Sequence, residues 1–410
     1  MKAALLPVEE ALQRVLASAS EPLGEEDIPV GKSLGRTLSR DLHSLRTQPP
    51  FANSAMDGYA LRAADATAPG ARLKLVGESA AGHVFAGKVG PGECARIFTG
   101  APIPEGVDAI ALQEDTTRDG DVVILTEAVR PAAHVRTAGI DFAEGETLLP
   151  AGRRMTPRDV ALAAAANQAF VYCRRRPRVA ILATGDELVS PGQILGPAQI
   201  VGSNNYFVHG LALAAGGAPV DLGIAQDNPK ALETGIRSAL NIGADILVTL
   251  GGASVGDYDL VQKALTDAGM ELGFWKIAMR PGKPLMHGRI GSMRVLGLPG
   301  NPTSSAVCGL LFLRPLIRAL LGDATAGADP SEPARLAVPL PANGVRADFA
   351  RATLARDETG AWAATPVSDQ DSSLVWTLAR ADALLVRPAD APAANAGDPC
   401  RVIRLEPFGA

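Results

Sequence analysis

Four short segments in the middle of the 410-residue chain carry residue types suited to holding a phosphate and a hard cation. They are Thr184-Gly185-Asp186-Glu187-Leu188, Gln226-Asp227-Asn228-Pro229, Gly251-Gly252-Ala253-Ser254-Val255-Gly256-Asp257-Tyr258-Asp259 and Pro299-Gly300-Asn301-Pro302-Thr303-Ser304. The two Gly-rich segments offer bare backbone N–H groups ahead of helix-like runs, an arrangement that binds anions. Glu187, Asp227, Asp257 and Asp259 add carboxylates. A cation such as Mg2+ takes oxygen from carboxylates and phosphates together. Between the third and fourth segments, Lys276, Arg280 and Lys283 lie within eight positions and suit a phosphate or an inorganic oxyanion. Each feature also has a plain structural reading. Acidic residues at strand ends cap helices, Gly-Gly makes tight turns, Pro-Gly-Lys-Pro makes hairpins, and lysines cover solvated faces. Neither GxxxxGK[ST] nor a GxGxxG after the first strand is present, so the pattern is not a P-loop or a dinucleotide fingerprint.

The elements around these segments alternate. Strand-like runs at Val179–Ala183, Pro219–Ala225, Asp245–Leu250 and Met293–Leu298 are interleaved with helix-like runs at Ser203–Gly216, Pro229–Leu240, Tyr258–Ala268 and Pro302–Leu321. Short links between alternating strands and helices predict a parallel sheet covered on both faces. Ligands in such sheets sit beyond the carboxyl ends of the strands, so all four segments are expected on one rim.

Upstream, Leu5, Val8, Leu12, Val15 and Leu16 predict an amphipathic helix over residues 5–20, and Thr156-Pro157 opens a second helix running to Ala169. Residues 43–144 hold short β-like runs (Leu73–Val76, Cys94–Phe98, Ala109–Leu112, Val122–Leu125) between Gly, Pro and Asp turns. A polar hinge at 323–334 precedes a tail with alternating runs at Ala383–Val386 and Arg401–Leu405, which reads as a small β-barrel or sandwich.

Composition narrows the function. Net charge is -5 and aromatics are 4%, which lacks the electrostatic and stacking surface of a non-specific nucleic-acid binder. Apolar stretches such as Val160–Ala166 and Val307–Leu313 fall short of a membrane span, and no signal-like leader precedes the first helix. Cys94, Cys173, Cys308 and Cys400 are scattered without CxxC, and five His show no ligand spacing. A soluble protein of the reducing cytoplasm, with no nucleic-acid or membrane partner, is the expectation.

Six segments, in order, resemble the molybdopterin molybdenumtransferase family, the MoeA-like proteins related to the gephyrin E domain. They are Asn53–Ala60 (NSAMDGYA), Arg96–Gly106 (RIFTGAPIPEG), Thr184–Leu188 (TGDEL), Gly251–Asp259 (GGASVGDYD), Arg280–Pro284 (RPGKP) and Gly297–Pro302 (GLPGNP). The resemblance implies a multidomain α/β plus β protein. An elongated helical region (1–42 and 145–176) carries an inserted β domain (43–144). A molybdopterin-binding α/β domain with a mostly parallel sheet (177–325) and a C-terminal β-barrel (326–410) follow.

It also implies an enzyme. Molybdenum from molybdate enters adenylylated molybdopterin and AMP leaves, with Mg2+ assisting. The protein would be a homodimer whose cleft lies between the α/β domain of one subunit and the β domain of the other. A molybdopterin adenylyltransferase and molybdoenzymes are implied partners. Carried over by motif position, Asp57, Thr99, Asp141, Glu187, Asp227 and Asp259 are catalytic, with Glu187, Asp227 and Asp259 on the metal. Gly251, Gly252, Ser254, Gly256, Lys276, Arg280, Lys283, Pro299, Gly300, Asn301, Arg351 and Ser372 bind substrate, the Arg351–Ser372 pair on the oxyanion side. The chain departs from the family pattern at Arg280, often Lys; at Gly202, commonly Asp; and at Asp371, commonly Gly. Competing readings are a non-catalytic molybdopterin carrier or scaffold and a molybdopterin adenylyltransferase. Molybdate and tungstate are not distinguished by the sequence.

Overall fold

The computed structural model describes residues 5–252 and 260–405. Its centre is a six-stranded sheet built from β1 (Arg178–Thr184), β2 (Ala218–Ala225), β3 (Ile246–Leu250), β4 (Glu271–Trp275), β5 (Met286–Ile290) and β6 (Met293–Leu298). The strand order is β2-β1-β3-β6-β5-β4. The first four strands are parallel, with Val179 opposite Ile246 and Leu247 opposite Val295. Helices α1 (Asn204–Ala215), α2 (Pro229–Asn241), α3 (Leu260–Asp267) and α4 (Pro302–Leu320) cover the two faces. Alternation along β1 divides the core: Val179, Ile181 and Ala183 pack with α1 and α4, Ala180 and Leu182 with α2 and α3. With both faces covered, the interiors of β1 and β3 are nearly all apolar, broken in β3 by the buried Thr249.

The parallel sheet expected from the sequence gains two antiparallel strands, β5 and β4. Residues 276–285 joining β4 to β5 are too few for a parallel crossover, and Gly291-Ser292 turns β5 directly into β6. The basic segment is therefore the connection of an antiparallel pair.

Helix α4 changes hydrogen-bonding pattern midway, with a π turn at Gly309–Leu313 just before Pro315. Proline has no N–H to give the carbonyl four residues earlier, so the ladder adjusts there. By length and composition α4 could cross a bilayer, which corrects the expectation that every apolar stretch is too short. It is instead a core helix, 78% of its apolar window lying inside the protein.

The first helix, Val8–Ala17, buries Ala11 and Val15 in the same core as Ile317 and Leu320. Strand Glu25–Pro29 pairs antiparallel with Phe170–Arg174, beside helix Pro157–Ala165. Thr156 and Asp159 form a reciprocal cap at that helix start. Residues 42–49 and 139–149 run side by side as a stalk, with Leu42 opposite Leu149, His43 opposite Thr147, Gln48 opposite Phe142, and Gly139 N–H on the Pro49 carbonyl at 3.0 Å. Beyond the stalk lies a second six-stranded sheet, ordered Ala109–Leu112, Gly58–Leu61, Glu93–Ile97, Arg72–Ser79, Val122–Leu125 and Thr116–Asp119.

The C-terminal strands Glu332–Leu336, Ala347–Arg356, Trp362–Pro366, Ala383–Arg387 and Pro399–Arg404 close into a barrel, because Ala347–Arg356 pairs with both Trp362–Pro366 and Ala383–Arg387. A two-residue strand from the β4–β5 connection, Met279–Arg280, pairs with Ala347–Asp348 and joins the barrel to the α/β domain.

Candidate active site

The four segments do converge. Thr184, Gly185 and Glu187 after β1, Asp227 after β2, Gly251 and Gly252 after β3, and Pro299, Gly300 and Asn301 after β6 all line one cleft of about 710 Å3. A Cβ on Gly252 would sit 2.0 Å from Val261 Cγ2, so packing against α3 demands glycine there, and the same bareness exposes backbone to the cleft. Ser254, Gly256 and Asp259 lie outside the described residues.

Asp227 stands among like charges. Its backbone N–H bonds Asp186 Oδ1 at 3.0 Å. Burial first, then the Asp186 and Glu187 carboxylates, raise its pKa above the ordinary carboxyl range. Among the described residues, no group of three or more His, Cys, Asp or Glu side chains is arranged to hold a metal. The donor set at the lip is thus Glu187 and Asp227, two hard oxygen donors whose mutual repulsion a cation relieves; that suits Mg2+, which commonly uses one or two carboxylates plus substrate phosphate.

The basic segment sits differently from its sequence expectation. Pro284 is its member in the cleft wall. Arg280 is paired with Asp348 of the barrel, which raises its pKa further. The Lys276 ammonium lies 3.9 Å from the centre of the Trp275 ring. The Lys283 carbonyl accepts from the N–H groups of Ile277 (2.9 Å) and Leu285 (3.1 Å). Within Arg-Pro-Gly-Lys-Pro, a Cβ on Gly282 would approach Cys308 Sγ to 2.5 Å at a φ of +108°, so this turn is built around a glycine packed on α4.

The barrel reaches the cleft through the loop at 369–374. Ser372 Oγ accepts from Asn301 Nδ2 at 2.8 Å, its carbonyl accepts from Thr303 N at 2.9 Å, and Ser373 lines the cleft. Arg351, only 1% exposed, gives its Nη groups to the carbonyls of Leu374 (3.3 Å), Asp369 (3.3 Å) and Asp371 (2.9 Å). The sequence transfer placed Arg351 on an oxyanion; in the structure it organises the loop that presents Ser372.

Asp57 and Thr99 meet on the inserted sheet. Asp57 Oδ1 accepts from the Thr99 backbone N–H at 2.7 Å and from its hydroxyl at 2.8 Å, bonds that lower the Asp57 pKa. Asp141 is exposed, and its backbone N–H bonds the Gln48 carbonyl at 3.1 Å in the stalk. None of the three lines the cleft formed by the α/β domain of this chain.

The sequence reading gave no role to Asn204, Asn205, Ser304 and Pro284 in the wall, although Ser304 and Pro284 stand in segments it singled out. Asn204 Nδ2 bonds the Gly300 carbonyl at 2.6 Å, tying α1 to the fourth segment. Asn205 donates to Asp221 at 3.2 Å, while its buried Oδ1 finds no donor among the described residues. The Ser-Asn-Asn at the α1 start was the available signal.

Comparison with known proteins agrees with this arrangement. The MoeA N-terminal region (domains I and II) matches residues 6–167, a probable molybdopterin binding domain matches 180–319, and the MoeA C-terminal region (domain IV) matches 333–405. The molybdopterin molybdenumtransferase of Haemophilus influenzae is 33% identical, covering 98% of this chain and 99% of its own length. That of Bacillus subtilis is 33% identical over 98% and 94%. A crystal structure of the molybdopterin biosynthesis MoeA protein from Pyrococcus horikoshii superposes with a TM-score of 0.82 at 32% identity, covering 99% of this chain and 100% of that one. With three family regions matched in order over a shared cleft-bearing fold, the chain belongs to the MoeA-type molybdopterin molybdenumtransferase family.

Proposed function

We propose that this chain inserts molybdenum from molybdate into adenylylated molybdopterin and releases AMP, giving the molybdenum cofactor. One observation carries the reading: a single cleft holds the Glu187–Asp227 lip, the Gly251-Gly252 and Pro299-Gly300 backbone, Asn301, which bonds Ser372 of the barrel, and Ser373 of the same barrel loop. Glu187 and Asp227 would hold Mg2+, which neutralises charge at the phosphate bridge when bound. The Gly backbone N–H groups donate to phosphate oxygens. Ser304, Ser373 and Pro284 complete the wall. No side chain need act as nucleophile: the two dithiolene thiols of the substrate take the metal, their protons leaving with one molybdate oxygen as water, and a water molecule cleaves the phosphoanhydride to leave the molybdopterin phosphate and AMP.

The protein acts as a homodimer in this reading, with Asp57 and Thr99 completing the partner's cleft. Their exposure and their absence from this chain's own cleft support that placement. A reducing cytoplasm is the setting, in keeping with thiols at Cys94, Cys173 and Cys308 that are free and buried.

The test is AMP release from adenylylated molybdopterin by the purified chain. Release that requires both molybdate and Mg2+ supports the proposal. Tight ligand binding with no AMP in the presence of both ions would overturn catalysis in favour of a carrier.

A further inference from the structure

A second pocket, of about 550 Å3, adjoins the cleft and shares Gly185, Leu188 and Asp227 with it. A ribbon separates the two. Leu188–Val189 runs parallel to Ile200–Val201, with Ile200 N–H on the Glu187 carbonyl at 2.8 Å and Gly202 N–H on the Val189 carbonyl at 2.9 Å. Ile200 and Val201 line the cleft, whereas Val189, Gln193 and Gln199 line the second pocket. Ile224 near the end of β2, with Gln226 and Asn228 after it, lines that pocket too.

The pocket is furnished with amides, and hydrogen bonds fix which end of two of them can donate. Gln199 Oε1 accepts from Gly196 N–H at 3.0 Å, which leaves its Nε2 as the donor. Asn228 Oδ1 caps α2 by accepting from Ala231 N–H at 2.9 Å, so its Nδ2 is the end that meets Gln226 Oε1 at 3.4 Å. Gln226 therefore also offers Nε2. Asp186 supplies one acceptor, because its Oδ1 already takes the Asp227 N–H and Oδ2 remains.

This set discriminates between heterocycles. Two amide donors and a single carboxylate oxygen match adenine, whose ring nitrogens accept and whose exocyclic amine donates. Guanine and pterin present a ring N–H beside an amine, an edge that a carboxylate grips with both oxygens; at Asp186 one of them is engaged. Leu188, Val189 and Ile224 give the pocket the apolar surface that a flat ring needs.

We infer that the second pocket is an adenine subsite, in which Gln199 and Gln226 donate to ring nitrogens of the base and its amine donates to Asp186. This rests on the proposed reading, in which an adenylylated substrate lays its phosphate bridge across the Glu187–Asp227 lip. The substrate divides at that lip: adenosine goes to the second pocket, and the pterin with its dithiolene stays in the cleft that Ser373 lines. Gln199 and Gln226 thereby set the specificity for the leaving nucleotide.

The test is calorimetric titration of AMP, IMP and ribose 5-phosphate into the full-length parent, Gln199→Glu, Gln226→Glu and the double variant. IMP replaces the amine by a carbonyl and adds a ring N–H, which reverses the base edge at nearly constant shape. Glutamate keeps the oxygen that accepts from Gly196 or Asn228 and turns the donor into an acceptor. Ribose 5-phosphate has no base and reports the general effect of the added negative charge. The parent should bind AMP roughly five- to twentyfold more tightly than IMP, a modest ratio because the pocket is open to water. In either Glu variant the two affinities should come within about twofold of each other, while ribose 5-phosphate weakens no more than about threefold.

Equal affinity of the parent for AMP and IMP overturns the subsite, as does an absence of AMP binding at millimolar concentration. So does an AMP loss in the variants that ribose 5-phosphate fully shares, or a base preference that survives in the double variant. The proposed reaction fails separately: a base preference without AMP release from adenylylated molybdopterin sinks catalysis alone, and AMP release without a base preference sinks the subsite alone. If a Glu variant does not fold, Gln199→Met and Gln226→Met remove the donor without adding charge and carry the same comparison.

Discussion

Asp57 shows how one residue can be readied by its neighbours. Two hydrogen bonds from Thr99 favour its ionised form, backbone N–H first and hydroxyl second. Thr99→Val removes only the hydroxyl donor, so the Asp57 pKa moves back up toward the ordinary carboxyl range. If the carboxylate is the working form, the acid limb of the AMP-release profile shifts to higher pH in Thr99→Val. Asp57→Asn abolishes the charge and lowers turnover at least about tenfold at every pH.

Asp227 presents the opposite case, with a pKa raised by burial and by Asp186 and Glu187. A carboxyl whose folded pKa lies above its unfolded value binds more protons in the native state between the two values. Its contribution to stability therefore falls as pH rises through that window and stays low at neutral pH. Asp227→Asn should raise the melting temperature at pH 7, with chelator present, by roughly 1–3 °C. The gain should vanish below the ordinary carboxyl range, while activity is lost throughout. Calorimetry at the two pH values checks it.

At the scale of elements, the 369–374 loop is the part most dependent on one side chain. Arg351 ties three of its carbonyls, and Gln370 ties back to the Arg351 backbone through bonds of 3.0 Å and 2.9 Å. Arg351→Ala takes the donor from three part-buried carbonyl bonds and the packing of a buried side chain, at a cost of about 1–3 kcal/mol. Denaturant titration should show that loss, and Ser372 should leave Asn301, raising amide exchange at Thr303. Arg351→Lys keeps the charge without the planar fork and should recover only part of it.

The sequence made the strand ends readable because β1, β3 and β6 are largely apolar runs, and glycine or an acidic residue follows each of β1, β2, β3 and β6 within two positions. It concealed β4 and β5, whose pairing is set by a short connection and not by periodicity. It also concealed Arg351, since a buried arginine that serves carbonyls and an exposed one that serves an oxyanion look alike in a string of letters. Pro284 and Ser304 stood in segments already singled out but drew no role for a related reason: a wall assembled from seven separate stretches has no spacing rule within any one of them.

At the scale of the molecule, the proposed cleft needs both copies. Asp57 and Asp227 would then belong to the same cleft but to different chains. A dimer of Asp57→Asn with Asp227→Asn concentrates both lesions in one cleft and leaves the other intact. Unfolding and refolding the two inactive variants together at equal amounts should restore about a quarter of parental activity, since half the dimers are mixed and each has one sound cleft. No recovery in verified mixed dimers would place both residues in one subunit's site.

The paired stalk that carries the inserted sheet has a practical corollary. Because Pro49 and Gly139 are hydrogen-bonded neighbours, the chain departs and returns at nearly one point. A splice replacing residues 50–138 with a few glycines and serines should spare the central core, while removing Asp57 and Thr99 as a cartridge. Such a trimmed protein should still retain adenylylated molybdopterin on a gel-filtration column yet leave it uncleaved, which turns an enzyme into a trap for its own substrate.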